Sequence, residues 1–384
     1  MARLTVPRVT MALVGVLLLT YAFAIAPRTT AGRPERAAGK PEHTTTQPSA
    51  AAVEPSPSSR PPEVFPPAEK VFIGVATKEG PYDFTPVADF TAAAGHQPQV
   101  MLFSSGWATD TFDRALFDEI SGRGMLPMLA WEPWDYRLDE KAREQGAARR
   151  TIDRIRSHQP DYRLSHIARG DFDDYLLSWA EGIGALDHPV AIRFAHEMNG
   201  NWYPWCETAN GNRPGDYVRA WRHVHDLFEA AGASNVIWVW SPNARWDGST
   251  PKLAGLYPGD EYVDWVGLSG YYGMGAFSKY RSFDAIFKDT SREIRTFSDK
   301  PLVITETGAS DTGGRKAEWI TETFRLLPQH EDIIGLIWFE VTKEQDWRIV
   351  SSPAVAAAFA QGVAAPRYRF GWSPDLLPRT ELAD

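Results

Sequence analysis

From residue 70 onward the chain alternates short, nearly continuous apolar runs with longer stretches whose apolar residues recur every three to four positions. The short runs read as strands buried on both faces, as a parallel sheet covered by helices requires. Eight are expected: residues 71–76 (VFIGVA), 100–105 (VMLFSS), 125–133 (MLPMLAWEP), 190–197 (VAIRFAHE), 236–242 (VIWVWSP), 263–272 (VDWVGLSGYY), 301–308 (PLVITETG) and 333–340 (IIGLIWFE). Helical patterns lie between them at 111–124, 171–186, 216–233 and 316–329, the first three opening on Thr111, Asp171 or Asp216, residues suited to cap a helix. Eight strands interleaved with helices predict an α/β fold of the (β/α)₈ barrel type. A doubly wound open sheet is the alternative, but it opens with a Gly-rich phosphate loop after its first strand. The first run here continues IGVATKEGPYD and carries no such loop.

The part before residue 70 has a different character. Arg3 and Arg8 precede the apolar run 11–26, MALVGVLLLTYAFAIA, with small residues at Ala22 and Ala24. The run falls short of the ~20 residues a spanning helix needs and has the layout of a signal peptide, with an uncleaved anchor as the alternative. Residues 27–67 are rich in Pro, Ala, Ser and Thr and nearly free of large apolar side chains. Such a segment buries too little surface to offset its ordering entropy and is expected to stay extended as a spacer. The expected organisation is therefore a signal or anchor over 1–26, a spacer over 27–67, a catalytic barrel over 70–364 and a tail over 365–384. The barrel would lie outside the cytoplasmic membrane, secreted or at the cell surface.

Composition narrows the partners. A net charge of −9 argues against a nucleic-acid or anionic-membrane binder. Contact with a membrane is expected only through the N-terminal segment, and the chain is expected to act as a monomer. The one cysteine, Cys206, has no thiol to pair with and reads as a small buried filler. The 15 Trp, 13 Tyr and 19 Phe read either as a rich core or as sugar recognition, since flat aromatic faces cover the apolar face of a pyranose ring.

In barrel enzymes the chemistry sits at the C-terminal ends of the strands. There the sequence gathers Trp107, Trp131, Glu132, His196, Glu197, Trp240, Asn243, Tyr271, Tyr272, Glu306, Trp338 and Glu340. A structural barrel has no reason to collect acids where each raises its neighbour's pKa. Glu197 ends the fourth run and Glu306 the seventh, so they face each other across the barrel mouth. Glycosidic cleavage needs such a pair, one protonating the leaving oxygen and the other attacking the anomeric carbon; a separation of about 5–5.5 Å goes with retention of configuration. Of the adjacent Tyr271 and Tyr272 a strand points only one inward. Glu132 and Glu340 are expected to line the cleft without forming the acid pair, and Asn243 and Arg348 are candidate substrate contacts.

His196-Glu197 at the end of the fourth run, followed by Gly200 and Trp202, together with Glu306 in VITETGAS, resembles the signature of glycoside hydrolase family 26, over roughly residues 70–364. The resemblance implies Glu197 as acid/base and Glu306 as nucleophile of a retaining enzyme that needs no cofactor or metal. It implies that His196 holds the nucleophile or the sugar's hydroxyls, that Trp202 stacks on sugar, that Tyr271 hydrogen-bonds Glu306, and that Trp338 forms the floor under the scissile bond, with Trp131 and Trp107 as further sugar contacts. Members mainly cleave β-1,4-mannan endo-fashion, and others cleave mixed-linkage β-glucan or β-1,3-xylan. The WEPW sequence at 131–134 departs from the mannan-cleaving pattern, which carries a histidine there, and looks closer to the glucan-cleaving members.

Two rivals frame the expectation. A barrel metal hydrolase would show a His-x-His at the end of its first strand, and IGVAT has none. His196 and Glu197, as neighbours on a strand, would point to opposite faces and could not chelate together. The other rival is a cell-surface polysaccharide-binding protein that kept the fold and lost the reaction; the presence of both glutamates argues against it.

Overall fold

The computed structural model describes residues 63–245, 251–274 and 279–382. The expected signal or anchor and most of the expected spacer lie outside these residues. Eight parallel strands close into a barrel in sequence order: β1 (Phe72–Thr77), β2 (Val100–Gly106), β3 (Leu126–Glu132), β4 (Val190–Phe194), β5 (Val236–Trp240), β6 (Trp265–Tyr272), β7 (Leu302–Ala309) and β8 (Ile333–Glu340), with β8 pairing back onto β1. Each expected apolar run became one of these strands. The run 190–197 is cut at Phe194, because Ala195 (φ 44°) and Glu197 (φ 55°) turn into left-handed backbone. Such conformations are uncommon for side chains with a Cβ and cost about 1–3 kcal/mol each.

Helices cover the outside: Thr85–Ala94, Arg114–Gly122, Asp173–Gly184, Asp216–Ala230, Phe283–Ile294, Lys316–Leu326 and Pro353–Val363. Two features depart from a regular repeat. The β3–β4 connection carries extra helices Arg137–Glu144, Arg149–Ser157 and Leu164–Ala168, and β5 is followed by the short 3₁₀ turns Leu253–Gly255 and Asp260–Tyr262, with no α-helix between β5 and β6 among the described residues.

Alternation along the strands sorts the core into two layers. Phe72, Val100, Leu102, Met128, Ala191, Val239, Val303 and Ile337 fill the barrel interior. Ile73, Met101, Leu129, Ile192, Val266 and Ile304 point outward and pack under the helices. Outward-facing Trp131 lies against Trp179 and Phe228 of two helices, at 5.3 and 5.7 Å between ring centroids.

The domain is larger at both ends than its composition suggests. Val64–Phe65 forms a short strand parallel to Leu377–Pro378, and Phe65, Phe370, Trp372 and Leu376 close the floor of the barrel at the strands' N-terminal ends. Phe65 stacks on Phe72 at 5.4 Å, and Trp265 Nε1 donates to Arg379 O at 2.7 Å. Residues 64–65 were expected in the spacer and 365–384 as a tail; Phe65, Tyr368 and Trp372 from these segments are buried core residues. A proline-rich setting and wide spacing of apolar residues hid them from a reading by periodicity. Trp372→Ala is expected to cost about 3–5 kcal/mol, as loss of a buried Trp does, visible as a lower urea midpoint at unchanged slope.

Candidate active site

The C-terminal rim carries the site. At the end of β4 the left-handed turn is pinned to β5: Glu197 N donates to Ser241 O (2.7 Å), and the Asn199 side chain donates through Nδ2 to Asn243 O (2.9 Å) and accepts at Oδ1 from Asn243 N (2.8 Å). The Asn243 side chain then donates to Glu197 Oε1 (2.9 Å), and Trp202 Nε1 donates to Glu197 Oε2 (2.9 Å). Trp202 can fold back because Gly200 leaves room: a Cβ there would lie 2.6 Å from its ring. Glu197 is buried, and burial followed by the negative charge of Glu306 pushes its carboxyl above the usual range, while Arg193 and the Asn243 and Trp202 bonds pull the other way.

Glu306 sits on β7 where the pairing with β8 shifts register between Ile304 and Thr307. Strict alternation with inward Val303 and Thr305 would turn Glu306 outward; the irregularity re-aims it into the mouth. Its Oε2 accepts from Arg193 Nη1 at 2.9 Å, and its Oε1 accepts from the Tyr271 hydroxyl. Burial and Glu306 hold the Tyr271 phenol well above its ordinary pKa, so it stays a donor. Arg193, wholly inside the barrel, is fixed by Ser241 Oγ at 2.9 Å and by Ser269 Oγ.

Beside this pair, His196 Nε2 lies 4.0 Å from Glu132 Oε1. Burial and the positive Arg193 and Lys343 keep its imidazole far below the usual pKa, hence neutral. Burial pushes Glu132 up to about 7, although Trp134 Nε1 donates to it at 2.8 Å. Tyr203 stacks on Trp205 at 4.3 Å and meets His196 edge-on at 5.4 Å. Among the described residues no group of three His, Cys, Asp or Glu side chains is arranged to hold a metal ion. Cys206 is buried with its thiol pushed up to about 12, a packed side chain and not a nucleophile.

The structure therefore brings Glu197, Glu306, His196, Trp202 and Tyr271 together and separates three other expected contacts from them. Trp107 packs on Trp131, Phe172 and Phe194; Trp338 packs on Trp319 and Phe359 and donates to Trp347 O. All three tryptophans occupy the layer between barrel and helices, because for Trp131 and Trp338 the immediate neighbours, Ala130 and Ile337, take the inward positions. The aromatic surface near Glu306 comes instead from Trp347, whose ring lies 4.9 Å from that of Tyr271, on the loop after β8. Asn243 braces Glu197, Glu340 accepts from backbone amides of the same loop, and Arg348 pairs with Asp346 at 2.8 Å. Sequence reasoning missed Arg193, although a lone arginine in the apolar run VAIRF, in phase with inward Ala191, was the signal for it.

A parallel eight-stranded barrel with paired glutamates on its fourth and seventh strands is the architecture of a large class of glycoside hydrolases. Residues 157–310 match the model of glycosyl hydrolase family 26, and the chain belongs to that family. It is 32% identical to Endoglucanase H of Acetivibrio thermocellus over 286 residues, 73% of this chain and 29% of that protein. A mannan endo-1,4-beta-mannosidase of Bacillus subtilis strain 168 is 31% identical over 147 residues, 36% of each chain. The chain thus spans about a third of the length of these two relatives. Among solved structures, the catalytic domain of a family 26 endo-beta-1,4-mannanase from Bacillus sp. JAMB-750 superposes with a TM-score of 0.58 at 19% identity, covering 78% of this chain and 87% of that one, a likeness of fold.

Proposed function

We propose that this protein is a retaining, endo-acting glycoside hydrolase that cleaves β-1,4 linkages in a β-linked polysaccharide such as β-mannan. The observation that carries the reading is the contrast between the two glutamates. Glu306 accepts from a guanidinium and a phenol, the donors that orient a carboxylate for attack. Glu197 is buried with its carboxyl pushed up, as a proton donor requires. In the first step Glu306 attacks the anomeric carbon while Glu197 gives its proton to the departing glycosidic oxygen. In the second, Glu197 takes a proton from water, which attacks the same carbon and releases Glu306. His196 and Trp202 border the bond being cleaved, the neutral imidazole serving a sugar hydroxyl.

Mixed-linkage β-glucan is the second reading, favoured by the Glu132–Trp134 pair at the end of β3 and by the extent of the match to Endoglucanase H. A reducing-sugar assay of the purified domain against galactomannan, glucomannan, barley β-glucan and β-1,3-xylan decides between them. The expected result is rapid release of mixed oligosaccharides from one of the β-1,4-linked polymers, with the first-formed anomer retaining configuration. Binding without turnover on all four would favour a polysaccharide-binding protein instead. We further read the run 11–26 as directing export, with the domain secreted or held at the cell surface; recovery of full-length chain from the cytoplasmic fraction alone would contradict this.

A further inference from the structure

The loop after β8 is held by a buried lysine that the reaction itself does not use. Lys316, in the first turn of helix Lys316–Leu326, is wholly buried. A lysine there costs stability twice: its charge is taken out of water, and it sits at the helix end that repels cations. Burial pushes its ammonium down to about 8, with Asp346, Glu340 and Asp311 opposing that fall. What offsets the cost is complete use of its protons. Nζ donates to Asp346 O (2.7 Å), Arg348 O (2.8 Å) and Ser351 Oγ (3.0 Å), three acceptors for three N–H groups, all on the loop after β8.

Glu340 grips the same loop from the end of β8, accepting from Ile349 N at 2.7 Å and Val350 N at 3.4 Å. Between these two grips stands Trp347. Its amide donates to Val341 O and its carbonyl accepts from Trp338 Nε1, both at 3.0 Å. Its side chain closes on the site: the ring lies against Tyr271, and it covers Gly308 at a distance where an added Cβ would be in ordinary van der Waals contact, 3.4 Å from Trp347 Cβ. Tyr271 donates to Glu306. A continuous set of contacts thus runs from Lys316 through the loop and Trp347 to Tyr271 and the carboxylate.

We propose that Lys316 is a positioning residue for Glu306, fixing the loop so that Trp347 keeps the Tyr271 hydroxyl on the carboxylate. The inference rests on the reading of Glu306 as nucleophile. Lys316 touches neither substrate nor reacting atoms; it acts through Tyr271, and that is what a test must isolate.

In the full chain, Lys316→Met removes the three donors and keeps an apolar stem of similar length. It is expected to lower kcat about 10²-fold, the scale of an ångström-size displacement of a reacting group, with KM changed much less. Tyr271→Phe should produce a fall of similar size. Because both act on one contact, the Lys316→Met/Tyr271→Phe double variant should fall no further than the lower single, within about threefold. Single effects that multiply in the double would overturn the proposal, since a merely structural role for Lys316 does not depend on Tyr271. Should Lys316→Met lack a cooperative melt, Ser351→Ala removes one acceptor only. It is expected to cost about 3–10-fold in kcat, the scale of one hydrogen bond, and again to add nothing in the Tyr271→Phe background; wild-type kcat in Ser351→Ala would overturn the proposal. Glu306→Ala separates the two readings. If it retains turnover, the nucleophile assignment fails. If it is inactive while Lys316→Met keeps wild-type kcat, only the role of Lys316 fails.

Discussion

Glu306→Ala is expected to lower turnover by more than about 10⁴-fold, the scale on which an enzyme loses its nucleophile, and added azide is expected to restore part of it. The alanine leaves a cavity lined by Arg193 Nη1 and the Tyr271 hydroxyl, the two donors that had served the carboxylate. A small anion fits both the space and the charge. Azide entering there attacks from the face Glu306 occupied, and with no second displacement the product is the glycosyl azide of inverted configuration. Proton NMR of the product reads the outcome directly. A Glu306→Ala protein with wild-type turnover, or azide product of retained configuration, would sink the double-displacement reading. Arg193→Met should also lower turnover but not respond to azide, because Glu306 is still in place and leaves the anion no cavity to enter.

How much of this was legible beforehand depends on which physical signal encoded it. The barrel strands were readable because each is buried on both faces and so appears as an apolar run. Their ends were less so, and the most consequential end was hidden: nothing in VAIRFAHE announces that Ala195 and Glu197 adopt left-handed backbone. That turn is imposed by the Asn199–Asn243 clamp, a tertiary contact between residues 44 apart in sequence. Side-chain direction was readable where alternation was applied. It separates Tyr271, which reaches Glu306, from Tyr272, which stacks on Trp319 outside the barrel. Carried through β3 and β8, the same alternation turns Trp131 and Trp338 away from the mouth. An aromatic at a strand's end is therefore no evidence of a sugar contact until its parity is known. Glu306 is the exception that alternation mishandles, since the register shift in β7 re-aims it.

Loop residues were within reach only where they adjoin a strand-end motif, as Trp202 and Asn243 do. Trp347 and Tyr203 lie in connections whose path is set by contacts far along the chain, including the grip of a lysine 31 residues before Trp347. Their sequence neighbourhoods carry no periodicity that would place them. The two motifs that were specific, HisGlu in the turn directly after β4 and Glu306 on β7, stay within three residues of a barrel strand, which fixes the part of the rim they reach even where it does not fix their direction. The barrel floor illustrates the reverse case. Phe65 and Trp372 are core residues 307 positions apart, and only the closed chain reveals them as one layer.

Glu197→Gln is expected to separate activity from stability, and the sign of each effect follows from the same environment. The amide cannot give up a proton to the departing oxygen, so hydrolysis of the polysaccharide should fall about 10²–10⁴-fold, the contribution of a positioned general acid. A substrate with a leaving group that departs without protonation should lose much less in the first step. Stability should move the other way. The Glu197 carboxyl is held above its ordinary range chiefly by burial and then by the charge of Glu306, so folding disfavours its ionised form. A group whose pKa rises on folding contributes fully below its unfolded value, near 4.3 for Glu, and that contribution is lost as pH climbs through the folded value. At neutral pH the wild type bears this cost and the glutamine does not. Glu197→Gln should therefore melt at a higher temperature than wild type at pH 7, and the gap should close as the pH is lowered toward 4. Asn243→Ala probes the same balance in the wild-type acid: without the donor to Glu197 Oε1, the carboxyl rises further and the alkaline limb of kcat/KM moves to higher pH. A limb that moves to lower pH would assign the titration to another group, and a glutamine variant less stable than wild type at neutral pH would mean that Asn243 and Trp202 outweigh burial at this carboxyl.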